Sequence, residues 1–390
     1  VDAPEPELVA RLRAALPADG VLGRPDERRV YDCDGQTLHR AAADVVVLPR
    51  TTDEIVAAVR VARECGAPVV ARGAGTGLSG GTLAPRGGVM ISTARMTQIL
   101  RLDPRARRAV VQPGVVNARL SEAARPHGLR YAPDPSSQSA STIGGNVAEN
   151  SGGPHTLRLG VTTNHVTGLV LVTSDAGTVR LGECAEAPAP WDDGLISAIV
   201  GSEGMFGVVA EVAVRLVPAP RSVTTILASY RSLRSAADAV AAVLRTGVLP
   251  AAVELMDREC IRAVEAFAQA GYPPDAEAVL LVELEDAAPD ESPRVDAALR
   301  GAGPIDVRFA ASDDERARLW KGRKLAVGAL GRVCRSFYTH DGCVPPSRLA
   351  EALERIVAAA GRHGVRVANL AHAGDGNLHP LFLFDRLDDD

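Results

Sequence analysis

The sequence predicts an α+β protein of two domains, and three observations carry that prediction. The N-terminal half runs strand, helix and strand straight into a glycine loop. An alternating apolar stretch then ends at Pro218-Ala219-Pro220, a break that divides residues 1–218 from 219–390. Beyond the break, strands interleave with helices that cover one face, which suits a mostly antiparallel sheet. At 390 residues the chain is also longer than one typical core.

Taken in order, Val45-Val46-Val47-Leu48 is a short buried strand ended by Pro49. Thr52 is the expected cap of a helix from Asp53, with Ile55, Val56, Val59 and Ala62 on one face and Gly66 as its stop. Strands follow at 68–71, 89–92 and 108–112, and a helix at 117–127 closed by Gly128. Val166–Thr173 and Thr178–Leu181 form a hairpin across Asp175-Ala176-Gly177. A short helix at 193–200 precedes a strand in which Val208, Ala210, Val212, Val214 and Leu216 share one face. In the second domain, strands are expected at 225–229, 253–256, 279–285, 305–309 and 365–370. Helices are expected at 233–245, 258–270, 293–299, 313–328 and 346–360.

Composition excludes several functions. Net charge is −5 with no basic run, so there is no nucleic-acid footprint. No apolar segment has the length of a membrane span. The N-terminal stretch lacks the basic and apolar regions of a signal peptide. The six cysteines are scattered without a C-x-x-C pair, which argues against an iron–sulfur cluster or structural zinc and for reduced thiols in the cytoplasm.

Two glycine-rich stretches carry the chemistry. The first is Arg72-Gly73-Ala74-Gly75-Thr76-Gly77-Leu78-Ser79-Gly80-Gly81; the second runs from Pro133 through Thr142 to Gly153. Glycine permits positive φ and close approach of a ligand to the main chain, and successive N–H groups make an anion-binding nest. Two such nests indicate a large cofactor with a pyrophosphate; a ligand-free glycine linker is the plain alternative. Gly75, Gly77 and Gly80 also match G-x-G-x-x-G. That fingerprint needs a helix to begin within it, and Gly81-Thr82-Leu83-Ala84-Pro85-Arg86-Gly87-Gly88 cannot be one. Near the C-terminus, His372-Ala-Gly-Asp-Gly-Asn377-Leu-His379-Pro380 places two histidines across a glycine turn. Converging from adjacent strands they make half a site for Zn²⁺ or Mn²⁺; otherwise they are polar flanks of an ordinary hairpin. His39, His127, His155, His165, His340 and His363 show no ligand spacing and read as surface or capping residues.

Together these segments, with Tyr31-Asp32-Cys33-Asp34-Gly35 and Gly201-Ser202-Glu203-Gly204, resemble the FAD-binding subunit of glycolate oxidase and the D-lactate and D-2-hydroxyglutarate dehydrogenases, within the vanillyl-alcohol-oxidase type of flavoenzyme. The resemblance spans nearly the whole chain. It implies a two-subdomain, PCMH-type FAD-binding domain followed by an α+β cap domain. FAD would be bound non-covalently by Arg72, Gly73, Ala74, Gly75, Thr76, Gly77, Ser79 and Gly80, by Pro133, Asp134, Thr142, Gly144, Gly145, Asn146, Ala148 and Asn150, and by Gly160, Thr162, Glu203, Gly204, Gly207 and Val208. The cap would hold the substrate. His372 and His379 would bind the divalent metal, Asn377 would lie close to the substrate, and Arg323 would take its carboxylate.

The implied activity is oxidation of a short D-2-hydroxy acid, with electrons passed to a separate acceptor or an iron–sulfur partner subunit. A 2-hydroxyglutarate-type enzyme, which needs a second cation such as Lys321 or Lys324, and a non-catalytic FAD-binding subunit are the alternatives. The resemblance also implies a downstream Glu-His-Gly motif with a third metal ligand. The sequence ends at Asp388-Asp389-Asp390 without it and begins without methionine, so a portion of a longer protein is expected.

Overall fold

The computed structural model describes residues 6–385. The stretch read as lacking a signal pattern and the terminal aspartates lie outside them. Two compact units form: residues up to Gly152 with Gly160–Ala219, and Gly153–Leu159 with the residues from Pro220 onward. A single cut at Pro218–Pro220 does not capture the Gly153–Leu159 excursion, which no change of composition announces.

In the first unit the strands Val45–Val47, Val89–Ser92 and Val69–Arg72 lie parallel in that spatial order, with Val21–Leu22 antiparallel at the edge. The helix Thr52–Glu64 buries Ile55, Ala58, Val59 and Ala62. Its cap is Thr51, one residue before the expected Thr52, because Thr51 Oγ1 accepts from the Glu54 N–H at 3.2 Å. That is the three-residue spacing a capping threonine requires.

A second, antiparallel sheet orders Ile99–Asp103, Arg108–Val111, Val208–Arg215, Val166–Val172 and Thr178–Gly182. The register shifts between Val209 and Glu211. This bulge corrects the one-face reading of the strand. Val208 and Ala210 join the core around the helix Thr52–Glu64, whereas Val212 and Val214 join the core around Ile143 and Val147. One extra residue flips every later side chain to the other face.

The second glycine segment holds a helix that the sequence reading did not assign. Ile143–Glu149 is a helix, capped by Thr142 Oγ1 on the Gly145 N–H and closed by Asn150 at φ 48°. Two adjacent glycines disfavour a helix, but Ile143 and Val147 are fully buried on its inner face, and that packing prevails. Within the first glycine stretch and on to Gly88 no helix forms.

The second unit is one sheet, in the order Asp306–Phe309, Val223–Tyr230, Ala278–Glu285, Ala252–Asp257, Arg366–His372, Asn377–Phe384 and Ser336–Thr339, with every pairing antiparallel. Helices cover both faces rather than one. Leu233–Arg245, Glu291–Gly301 and Leu349–Arg362 pack on the face of Ile226, Val253 and Leu280. Arg258–Ala268 and Asp313–Leu330 pack on the face of Leu227, Ala252 and Leu281. The central strands are therefore apolar on both sides, which hides the period-two pattern that would have separated the faces.

Candidate functional site

The glycine loop of the first unit follows the strand Val69–Arg72, and tight contacts fix its path. Asp34 Oδ2 accepts from the Gly80 N–H at 2.9 Å, and the Gly35 N–H donates to Gly77 O at 2.9 Å. Arg72 Nη1 donates to Thr82 Oγ1 at 3.1 Å. Gly75 has φ 70°, and a Cβ there would lie 2.2 Å from the Arg72 guanidinium. A Cβ on Gly73 would meet Thr142 Oγ1 at 2.5 Å. The loop is thus seated on the first turn of the helix Ile143–Glu149, and the two glycine segments are brought together. Among the described residues, none of the N–H groups from Gly73 to Ser79 donates to a protein acceptor. Seven such donors beside a helix N-terminus suit an anion.

Several other residues expected at the cofactor lie around that helix, whereas Val208 joins the core around the helix Thr52–Glu64. Asn146 accepts from Asn117 Nδ2 at 2.9 Å, and the same nitrogen reaches Pro133 O, which ties the Pro133-Asp134 loop to the helix. The N–H groups of Gly201 and Glu203 donate to Val147 O and Ala148 O, so the 201–204 turn satisfies carbonyls that the helix end leaves open. Thr162 Oγ1 donates to Ser151 O at 2.7 Å, and Asn150 Oδ1 accepts from the Thr163 N–H at 2.9 Å. At the loop rim Ser79 Oγ donates to Glu149 Oε2 at 3.1 Å. Burial, and then the charge of Glu203, push the Glu149 carboxyl up.

In the second unit, His372 ends the strand Arg366–His372 and Asn377 opens the strand Asn377–Phe384. His379 stands opposite Leu370, two residues from His372, so both imidazoles occupy one sheet face with ring centroids 5.0 Å apart. His372 Nδ1 contacts Glu254 Oε1 at 2.8 Å, and Glu254 Oε2 pairs with Arg323 Nη2 at 2.5 Å. Arg323 Nη2 also approaches His372 Nδ1 at 3.4 Å. The carboxylate can only accept, so Nδ1 of His372 carries the hydrogen and donates to Glu254.

Glu254 and Arg323 are each 1% exposed. Burial pushes the Glu254 carboxyl up, but Arg323, His372 and His379 outweigh it and bring it to about 2. Burial, then the nearby His372 and Arg323, lower His379 to about 3, so its imidazole is neutral at neutral pH. Two buried polar atoms here have no hydrogen-bond partner, Arg323 Nε and Asn377 Oδ1. Two imidazoles on one sheet face and an orphaned amide oxygen fit a divalent cation and a polar ligand. A cavity of about 590 Å³ is lined by Leu378, Pro380 and Phe382, the alternate residues of the His379 strand, and so opens on the opposite sheet face.

Sequence reasoning missed Glu254. It sits at position 254 in an apolar run, and only the pairing of Glu254 with His372 across two strands brings it to the pair. His155 was also misread as a surface or capping residue. It is mostly buried, stacked on Trp320 at 5.8 Å, with Nε2 3.2 Å from Glu283 Oε1.

Comparison with known proteins adds the lineage. A model of the FAD binding domain matches residues 43–182, and a model of the C-terminal domain of FAD linked oxidases matches residues 219–390. The chain is 44% identical over 387 residues to "Glycolate oxidase subunit GlcD" of Escherichia coli K12, covering 98% of this chain and 77% of that one. Identity is 36% over 362 residues to the Bacillus subtilis glycolate oxidase subunit GlcD, covering 92% and 77%. It is 33% over 343 residues to an Archaeoglobus fulgidus D-lactate dehydrogenase, covering 87% and 75%. Among solved structures, an alkyldihydroxyacetonephosphate synthase aligns with TM-score 0.79 at 18% identity, over 98% of this chain and 81% of that one. p-Cresol methylhydroxylase with substrate bound aligns with TM-score 0.78 at 14% identity, over 97% and 82%. At that identity the structural likeness shows the shared fold.

Proposed function

The chain belongs to the FAD-linked oxidases that include the glycolate oxidase subunit GlcD and the D-lactate dehydrogenases, and on that premise we propose that it oxidises glycolate or D-lactate to the 2-oxo acid and passes the electrons to a separate acceptor. The observation that carries the cofactor assignment is the run of seven undonated N–H groups from Gly73 to Ser79 against the helix Ile143–Glu149. These groups would hold the pyrophosphate of FAD without a covalent bond. Asn146, Asn150, Thr162 and the Glu203-Gly204 turn would line the remainder. When bound, the flavin supplies the two-electron redox chemistry, and the chain supplies position and charge.

At the substrate end, Glu254 holds one nitrogen of the Arg323 guanidinium and leaves Nε unpaired. A planar fork with an open donor suits a carboxylate. Asn377 would orient the hydroxy acid through its orphaned Oδ1. His372 Nε2 and His379 would hold Zn²⁺ or Mn²⁺, which supplies Lewis-acid polarisation of an α-hydroxyl. Two relatives are by name subunits of a glycolate oxidase, and a partner subunit is the natural acceptor, because this chain has no clustered cysteines for an iron–sulfur centre.

Anaerobic mixing of the purified yellow protein with glycolate, D-lactate and L-lactate tests the reading. The visible flavin absorbance should bleach with a D-acid or glycolate and persist with L-lactate. A protein that carries no flavin and takes none up, or whose flavin resists both glycolate and D-lactate with metal supplied, would refute it.

A further inference from the structure

We propose that His155, Glu283 and Glu285 form a second divalent-cation site in the C-terminal unit, separate from the His372–His379 pair, that takes Mn²⁺ or Zn²⁺. Glu283 and Glu285 are alternate residues of the strand Ala278–Glu285 and therefore share one sheet face. Both are buried, with side chains 4% and 6% exposed. Two carboxylates so placed repel each other in a poorly solvated setting and need a cation between them.

The local geometry fits a metal. His155 Nε2 lies 3.2 Å from Glu283 Oε1 and 3.7 Å from Glu285 Oε1, and the three ligand atoms fall within 4.8 Å of one another. Ligands about 2.1 Å from a common ion stand roughly 3.0–3.5 Å apart when adjacent, so small side-chain shifts close the set. Among the described residues this is the one His, Cys, Asp or Glu group of three that comes so close.

Supporting contacts orient each ligand. Thr225 Oγ1 donates to Glu283 Oε2 at 2.9 Å, and the Trp320 indole N–H donates to the same oxygen, which leaves Oε1 turned toward His155. Trp320 also stacks on the imidazole and fixes its plane. These are the partners that hold first ligands in metalloproteins. Two arginines also face the group. Arg316 Nη1 is 4.0 Å from Glu283 Oε2, and Arg158 spends Nη1 on the Glu285 backbone carbonyl at 2.7 Å. One imidazole nitrogen and two carboxylate oxygens form a borderline donor set that suits Mn²⁺ and Zn²⁺. A proton on His155 answers the same charge, and the experiment separates the two.

The test uses the full flavin-loaded chain with His372→Ala and His379→Ala, so that failure of the His372–His379 metal reading does not affect it. Equilibrium dialysis against Mn²⁺ alone and Zn²⁺ alone near neutral pH should leave one bound equivalent. Adding His155→Gln or Glu285→Gln should abolish it, with far-ultraviolet circular dichroism and flavin content as folding controls. A second readout leaves the triad intact: in a Trp191→Phe protein, Trp320 is the sole tryptophan, and saturable Mn²⁺ should quench its emission. No bound equivalent and no quenching, or an equivalent that survives both triad substitutions, overturns the proposal and leaves an ion-paired histidine.

Discussion

At the residue scale, the exchange of a single charge discriminates most sharply. Glu254 is buried between Arg323 and His372. Glu254→Gln removes the counter-charge of a guanidinium that is 1% exposed, and breaking such a buried pair costs about 3–5 kcal/mol. Urea denaturation of the two proteins should show that loss. The same change frees the His372 tautomer. Metal affinity at the His372–His379 pair should therefore fall by about 10–100-fold, as it does when the carboxylate behind a ligating histidine is removed. Dialysis against Zn²⁺ checks this independently of turnover. None of the three partners is near another in sequence, so residues 254, 323 and 372 carry no local sign of one another. The two histidines were legible because a seven-residue spacing with glycines between them is itself a turn signal.

At the element scale, two predictions concern backbone and caps. Gly75 sits at φ 70° with the Arg72 guanidinium against it. Gly75→Val adds a branched side chain where both strain and contact forbid it, so the protein should fold but lose most of its flavin. Absorbance of the purified variant measures this, and full occupancy would remove the loop from the cofactor site. Asp257 ends the strand Ala252–Asp257 and caps the helix Arg258–Ala268, while also accepting from the Asn369 N–H at 2.6 Å. Burial pushes its carboxyl up to about 6, against hydrogen bonds from Cys260 and Asn369. A raised carboxyl pKa means that the folded state holds the proton longer than the unfolded chain. Its contribution to stability is therefore greatest below the unfolded value of 3.8, declines as pH rises, and levels off above about 6. The two-unit difference corresponds to about 3 kcal/mol. Asp257→Asn should flatten the stability profile across that window, as read from denaturation midpoints. Helix lengths were largely legible from period and caps, as Leu233–Arg245 illustrates. The strand Asn377–Phe384 was not, because Pro380 lies inside it and proline argues against a strand interior.

At the scale of the whole molecule, the family reading predicts that acid denaturation releases all the flavin into the supernatant. Yellow colour retained on the precipitate would show a covalent link. Among the described residues no helix is long and apolar enough to cross a membrane. By itself the sequence determined the two-part α+β plan, the glycine loop that does not enter a helix, the histidine hairpin and the lineage. Each of these is written in residues close together, where backbone preference and short-range periodicity act. Only the tertiary structure decided the rest. It set the bulge that turns Val212 and Val214 away from Val208 and Ala210, made a helix of Ile143–Glu149 despite its glycines, and clothed both faces of the second sheet. It also assembled Glu254 with His372 and His155 with Glu283, pairs 118 and 128 residues apart. Such partners meet because strand register and helix packing bring them together, and burial then sets the charge each one carries.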